Sequence, residues 1–293
     1  MTLEIAAPHF DLEKTLNSGQ VFHWEKVGEG FVGVIDDKPF HIEQRGEVLR
    51  AHVASDSSRC LGGHWQDAHA TIRHYFALDH PLQEICRSFP NDPVMNAARD
   101  YCRGLRVIRQ PKWECLATFI CSSMKQVAHI RQISRALREQ FGVARQINGY
   151  LLHTFPDARR LAECSEKDLR KCALGYRAKN LLRTARSVAS GRANLEEWSR
   201  SPDPELREHL CGLPGVGPKV ANCVMLFAYE RLRAFPIDVW IERVLRERYF
   251  ARKRKPTPAK LRSFSDRYFG EHGGYAQQYL FHHARMTQRR AQR

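Results

Sequence analysis

Nowhere in the 293 residues does an apolar run approach the ~20 that a membrane-spanning helix needs, which excludes an integral helical membrane protein. No CxxC pair occurs among the nine cysteines, their number is odd, and none lies beyond Cys223. A zinc ribbon, a thioredoxin-like pair and a secreted disulfide framework therefore fit badly, and buried, reduced thiols in a cytosolic chain are expected. The opening MTLEIAAPHF lacks a basic n-region and a long apolar stretch, so secretion is not expected. Acidic residues are in short supply: 32 Asp+Glu against 47 Lys+Arg leave a formal charge of +15. That excess says nothing about fold, but it favours a polyanionic partner, nucleic acid or an acidic membrane surface.

What remains is ordinary globular composition, 43% hydrophobic and 27% charged, in a chain long enough for two domains or one large one. Val21–Trp24, Phe31–Ile35, Phe40–Glu43 and Val48–Val53 are short β-branched or aromatic runs separated by turn-like stretches. Such short connections predict antiparallel neighbours. From about Asp67 the pattern turns helical. Asp92-Pro93 is a helix start, and Trp113–Ser123 is apolar almost all round, as a central helix would be. Val127, Ile130, Ile133, Leu137 and Phe141 mark one apolar helical face, Ser165 with Asp168 suggests a cap, and Arg177–Ser190 fits a further helix. Ser199–Pro204 reads as a linker and Ala251–Lys260 as a basic, exposed loop. The expected fold class is α+β: a small N-terminal antiparallel β domain with some helices, residues 1–112, then a mainly helical domain, residues 113–293.

The chemistry concentrates between Leu206 and Tyr249. LPGVGPKVA (Leu213–Ala221) predicts a tight turn between two helices, with Pro218 at the start of the second. Gly215 and Gly217 permit positive φ and close backbone approach, and a helix N-terminus behind them suits a phosphate. Two glycines alone fit an ordinary helix–turn–helix corner equally well. A nucleotide-binding P-loop does not fit, because Pro218 stands where the lysine belongs and Val220 where a hydroxyl belongs. Lys219 in the first helical turn opposes the helix dipole. Dipole and partial desolvation favour the neutral amine that a Schiff-base nucleophile needs. Asp238, ahead of the periodic run Ile241, Val244, Leu245, is an expected N-cap, and a carboxylate there can also stabilise an oxocarbenium-like sugar.

At this point the chain resembles the helix-hairpin-helix DNA glycosylases, and within them the 8-oxoguanine DNA glycosylases. The strings that carry the likeness, in order, are NSGQVFHW (Asn17–Trp24), FICSS (Phe119–Ser123), LGYRAK (Leu174–Lys179), LPGVGPKVA with PIDVW (Pro236–Trp240), and YAQQYLF (Tyr275–Phe281). The resemblance implies excision of 8-oxoguanine and related oxidised purines from duplex DNA. Lys219 would attack the sugar C1′ and carry it as a Schiff base toward strand cleavage, and Asp238 would orient the lysine and stabilise the charged sugar. Gly215 and Gly217 would approach the phosphate backbone. Gly19 would accept the N7–H that only the oxidised base has, Gln277 would bond its Watson–Crick edge, and Phe281 and Cys223 would flank the extruded ring. Tyr176 and Arg177 would fill or border the gap in the duplex.

Three positions depart from the family pattern. Met124 replaces the start of an asparagine run, His129 an arginine directed at the opposite cytosine, and Trp240 a phosphate-contacting histidine. Recognition of the partner base is therefore in question. An iron–sulfur enzyme of the endonuclease III type is excluded for want of cysteines after Asp238. Lys219 argues against a monofunctional alkylpurine glycosylase, and the pair Lys219–Asp238 against a non-enzymatic DNA-binding protein. No metal and no cofactor are expected, and the partner is double-stranded DNA, without membrane association. A monomer is expected, acting in the cytoplasm or nucleoid of a bacterium or the nucleus of a eukaryote.

Overall fold

The structure, a computed structural model, describes residues 2–54, 64–123, 125–250 and 256–291, except the side chains of 64–66 and 288–291. The chain opens with a five-stranded antiparallel sheet. Thr2–Ala6 (β1), Glu25–Val27 (β2), Gly30–Ile35 (β3), Lys38–Arg45 (β4) and Val48–Val53 (β5) lie in the order β1-β5-β4-β3-β2. The three predicted runs from Phe31 to Val53 fall in β3, β4 and β5, joined by two-residue turns that suit the strand twist. Val21–Trp24, expected as a strand, is irregular. Its side chains divide between two cores, Phe22 entering one and Val21 and Trp24 the other. Beside it, Gln20 ties this segment to the chain at Arg106 and Ile108 instead of a ladder.

Helices follow: α1 (Leu12–Asn17), capped by Asp11, within the sheet region, then α2 (His64–Tyr75), α3 (Leu82–Arg87), α4 (Pro93–Tyr101), α5 (Lys112–Cys121) and α6 (Val127–Phe141). A hairpin, Ala144–Ile147 (β6) and Tyr150–His153 (β7), precedes α7 (Ala158–Ala162), α8 (Glu166–Lys171), α9 (Arg177–Ala189), α10 (Asp203–Cys211) and α11 (Pro218–Ala228). The chain closes with α12 (Val239–Val244), α13 (Pro258–Tyr268) and α14 (Gly273–Ala291). The expected linker at Ser199–Pro204 is in fact a 3-10 turn at Glu197–Arg200 followed directly by α10, where Pro204 occupies the first turn and its missing N–H is harmless. Of the expected loop Ala251–Lys260, residues 251–255 lie outside the described residues. Thr257 caps α13, so Pro258–Lys260 are helical.

Two cores result. The smaller packs Ile5, Leu16, Phe40, Ile42 and Leu49 against Ile72 and Phe76 of the α2 region. The larger holds the helical region, and it also takes in Leu82, Phe89, Met95 and Leu105. A division at 112/113 therefore runs through this larger core, because α3 and α4 pack with the helices that follow, α4 against α14. No helix among the described residues is long and apolar enough to cross a membrane.

Candidate active site

The hairpin forms where the sequence placed it. Leu206 and Leu210 anchor α10 in the core, the chain turns through Gly212–Gly217, and α11 begins at Pro218. Gly215 has φ +83°, and a Cβ there would stand 2.8 Å from Asn180 Cβ, so the turn needs glycine for both conformation and space. Gly217 does not: its φ is −100° with open space around it, and its role is the helix N-cap without a side-chain bond. The Thr184 hydroxyl donates to the Pro214 carbonyl at 3.1 Å and fastens the turn to α9. Beside Pro214, Arg183, Arg186 and Arg192 line a hollow of about 200 Å³.

Lys219 is half-buried in the first turn of α11. Its amine donates to Ser122 Oγ at 3.3 Å and stands 5.2 Å from the centroid of the Phe119 ring. One turn on, Cys223 is buried, and its burial pushes the thiol up to about 11, against the pull of nearby Lys219, so it is protonated at neutral pH. Asp238 caps α12, with Oδ1 accepting from the Trp240 and Ile241 amides at 3.1 and 2.9 Å. Burial raises its carboxyl above the usual range, against the pull of those amides and of Lys219.

The residues expected to bind the base come from the two ends of the chain. Gly19 has φ +89°, and a Cβ there would stand 2.6 Å from Arg285 Nη1 and 3.0 Å from Phe281 Cε1, so Gly19 and Phe281 adjoin. Gln277 is buried on α14, one turn before Phe281, and its Oε1 has no hydrogen-bond partner among the described residues. Sequence reasoning missed Ser122 and Phe119 as neighbours of the amine, and Arg285 as a wall of the pocket. The first two lie inside FICSS, but nothing local indicates which way they point. Arg285 has no motif at all.

The residues expected near the duplex gap behave differently from one another. Tyr176 is 56% exposed. Arg177 is buried: its guanidinium lies 4.4 Å from the Tyr176 ring centroid and donates to the Ser123 and Leu174 carbonyls, so here it holds the end of α5 instead of reaching outward. His129 is exposed in the first turn of α6. Trp240 is half-buried, with the Arg243 guanidinium 5.8 Å from its ring centroid. Met124 lies outside the described residues. A concavity of about 710 Å³ lined by His9, Leu82, Arg99, Arg103 and Tyr279 contains none of these groups.

A glycine-bearing hairpin, a lysine in the first turn behind it and a carboxylate capping the next helix define a base-excision helix-hairpin-helix protein. The family model "HhH-GPD superfamily base excision DNA repair protein" matches residues 117–269. That of the "8-oxoguanine DNA glycosylase, N-terminal domain" matches residues 2–116. The chain belongs to the 8-oxoguanine DNA glycosylase family. It is 30% identical to a "Probable N-glycosylase/DNA lyase" of Methanothermobacter thermautotrophicus, covering 97% of this chain and 96% of that protein. It is also 30% identical to "N-glycosylase/DNA lyase OGG1" of Arabidopsis thaliana, covering 95% of this chain and 78% of the relative. Among solved structures, Clostridium acetobutylicum 8-oxoguanine glycosylase/lyase in complex with dsDNA containing cytosine opposite 8-oxoG is similar, with TM-score 0.88, 29% identity and 98% coverage of each chain.

Proposed function

We propose that this chain excises 8-oxoguanine from duplex DNA and then nicks the strand, with Lys219 as nucleophile and Asp238 as the stabilising carboxylate. That it is a DNA glycosylase with lyase activity follows from its family. The observation that carries the residue assignment is the juxtaposition of the Lys219 amine, the Ser122 hydroxyl and the Cys223 thiol on one side of α11, with Asp238 close enough for Lys219 to influence its carboxyl.

The amine of Lys219 forms a bond to C1′ as the N-glycosidic bond breaks and the base departs with the electron pair. The lysine's proton leaves, the sugar ring opens to the Schiff base, and loss of a 2′ proton expels the 3′ phosphate. Positive charge builds on the sugar before the C–N bond is complete, and Asp238 offsets it. No cofactor is needed for any step.

Gln277 Oε1 supports the base-pocket reading. A buried acceptor left unpaired costs about 1–3 kcal/mol, and a base edge carrying N–H donors removes that cost. Gly19 would accept the lesion's N7–H, and Phe281 and Cys223 would lie on the two faces of the ring. Gly215, Gly217 and the Arg183–Arg186–Arg192 hollow would take backbone phosphates, which fix register without reading sequence. Tyr176 would border the vacated stack. The chain would act as a monomer, at the nucleoid of a bacterium or in the nucleus of a eukaryote.

The deciding experiment is Lys219→Gln on duplexes carrying 8-oxoguanine. Base release and covalent trapping by borohydride should both disappear. Full trapping in that variant would identify another amine as the nucleophile.

A further inference from the structure

The N-terminal sheet carries a cluster of potential metal ligands that contains no cysteine. There the strand register brings two histidines face to face: His41 of β4 is the direct cross-strand partner of His52 of β5, with ring centroids 5.3 Å apart and planes at 27°. Glu43, two residues along β4, projects from the same face. One donor atom from each of the three lies within 4.8 Å of the others. We propose that His41, Glu43 and His52 form a binding site for a divalent transition-metal ion, zinc by its donor set, remote from the base-excision chemistry and independent of it.

The surroundings present these atoms as ligands. His41 Nε2 is buried and has no hydrogen-bond partner among the described residues, its nearest charged oxygen being Glu43 Oε1 at 3.8 Å. The other nitrogen of each ring is occupied. Thr2 Oγ1 of β1 stands 3.1 Å from His52 Nδ1, and Asn148 Nδ2, in the β6–β7 turn, stands 3.1 Å from His41 Nδ1. With Thr2 Oγ1 accepting from Nδ1–H, His52 Nε2 keeps its lone pair, which is how outer groups orient metal-bound imidazoles; for His41 the same arrangement requires the Asn148 amide to turn so that its oxygen faces Nδ1. Arg45 lies 3.7 Å from Glu43 Oε2, leaving Oε1 toward the rings, and Arg50, opposite Glu43, is engaged with Glu4.

Two imidazoles and one carboxylate suit zinc and its borderline neighbours rather than magnesium or calcium. Ligands about 2.0–2.1 Å from a tetrahedral ion stand roughly 3.3 Å apart, so closure needs only side-chain rotation, with water in the fourth position. The ion would fasten three strands of the N-terminal sheet to the β6–β7 hairpin, whose Asn148 and Tyr150 already touch His41.

The test titrates the untagged full chain, stripped with a chelator, with Co²⁺ and then displaces it with Zn²⁺. One equivalent should bind with visible d–d absorption and without the near-ultraviolet charge-transfer band of a thiolate. Zn²⁺ should raise the melting temperature. His52→Gln and Glu43→Gln should each weaken Co²⁺ binding about tenfold or more and cancel the melting shift, with excision of 8-oxoguanine unchanged. Absence of a Co²⁺ spectrum from the wild-type chain, a thiolate band, or wild-type affinity in both folded variants would overturn the site.

Discussion

Replacing Asp238 by asparagine separates the cap that the structure shows from the electrostatic role proposed for that side chain. As an N-cap it accepts from two amides through one oxygen, Oδ1. Asparagine ranks beside aspartate at this position, so the substitution should cost at most about 0.5 kcal/mol of stability. As a charge it has no substitute. A carboxylate roughly 5 Å from a developing unit positive charge, at an effective dielectric near 20, contributes about 3 kcal/mol. At about 1.4 kcal/mol per power of ten, base release should slow by roughly two orders of magnitude. Single-turnover excision from an 8-oxoguanine duplex should show that loss, while binding to an abasic-site analogue and thermal melting stay close to wild type. The pH profile adds a second signature. The ionised form is the useful one, and burial raises the Asp238 carboxyl, so wild-type excision should fall on an acid limb lying above the ordinary aspartate value of 3.8. The asparagine variant should lack that limb. Collapse of folding and binding together with activity would make Asp238 a structural cap only, and an undiminished rate would remove it from the chemistry altogether.

Gly19→Ala should reduce base release severely while leaving abasic-site trapping through Lys219, because a Cβ at φ +89° would collide with Arg285 and Phe281; excision near the wild-type rate would remove Gly19 from the pocket. His282 is held down to about 4 by burial and then by Arg285, so the unfolded chain takes up that proton first, and stability is lost as pH falls from about 6.5 toward 4. Denaturant unfolding of His282→Gln should show about 3 kcal/mol less acid destabilisation than wild type across that window, and equal slopes would exclude His282 as the proton acceptor. Excision opposite adenine, guanine or thymine should approach that opposite cytosine, since His129 offers fewer donors than arginine, Arg177 is bound to the Ser123 carbonyl and Arg131 to Asn17 Oδ1; a thousandfold preference for cytosine would refute this.

Local signals carried far along this chain. The apolar spacing from Val127 to Phe141 is the extent of α6, and Asp92-Pro93 and Ser165 are the caps they resembled. Lys219 and Asp238 were legible for the same reason, since a first-turn position and a cap are defined by a few neighbouring residues. Elements stabilised at long range were not. Thr2–Ala6 becomes β1 only by pairing with Val48–His52, and Val21–Trp24 fails to pair because its side chains serve two cores. The β6–β7 hairpin turns on Asn148-Gly149, a short-range turn signal, between strands of only four residues each. Ser122 beside the lysine and His52 beside His41 needed helix packing and strand register respectively, which no spacing encodes.

The proposed base pocket would join the two ends of the chain. Gly19 can distinguish one extra N–H only if its carbonyl is held where that donor arrives, and a short loop after α1 cannot hold itself. The structure supplies the constraint from the helical side. Gln278 of α14 donates to the Ser18 carbonyl at 3.2 Å, Arg285 of α14 donates to the Asn17 carbonyl, and Arg131 of α6 donates to Asn17 Oδ1 at 3.0 Å. Two of these three clamps come from the helix that also carries Gln277 and Phe281. Movement of α14 would therefore shift Gln277, Phe281 and the loop carrying Gly19, the proposed elements of the base pocket, together. Neither the N-terminal sheet region nor the helical region could form the proposed pocket alone, so the selectivity proposed for this chain would need both.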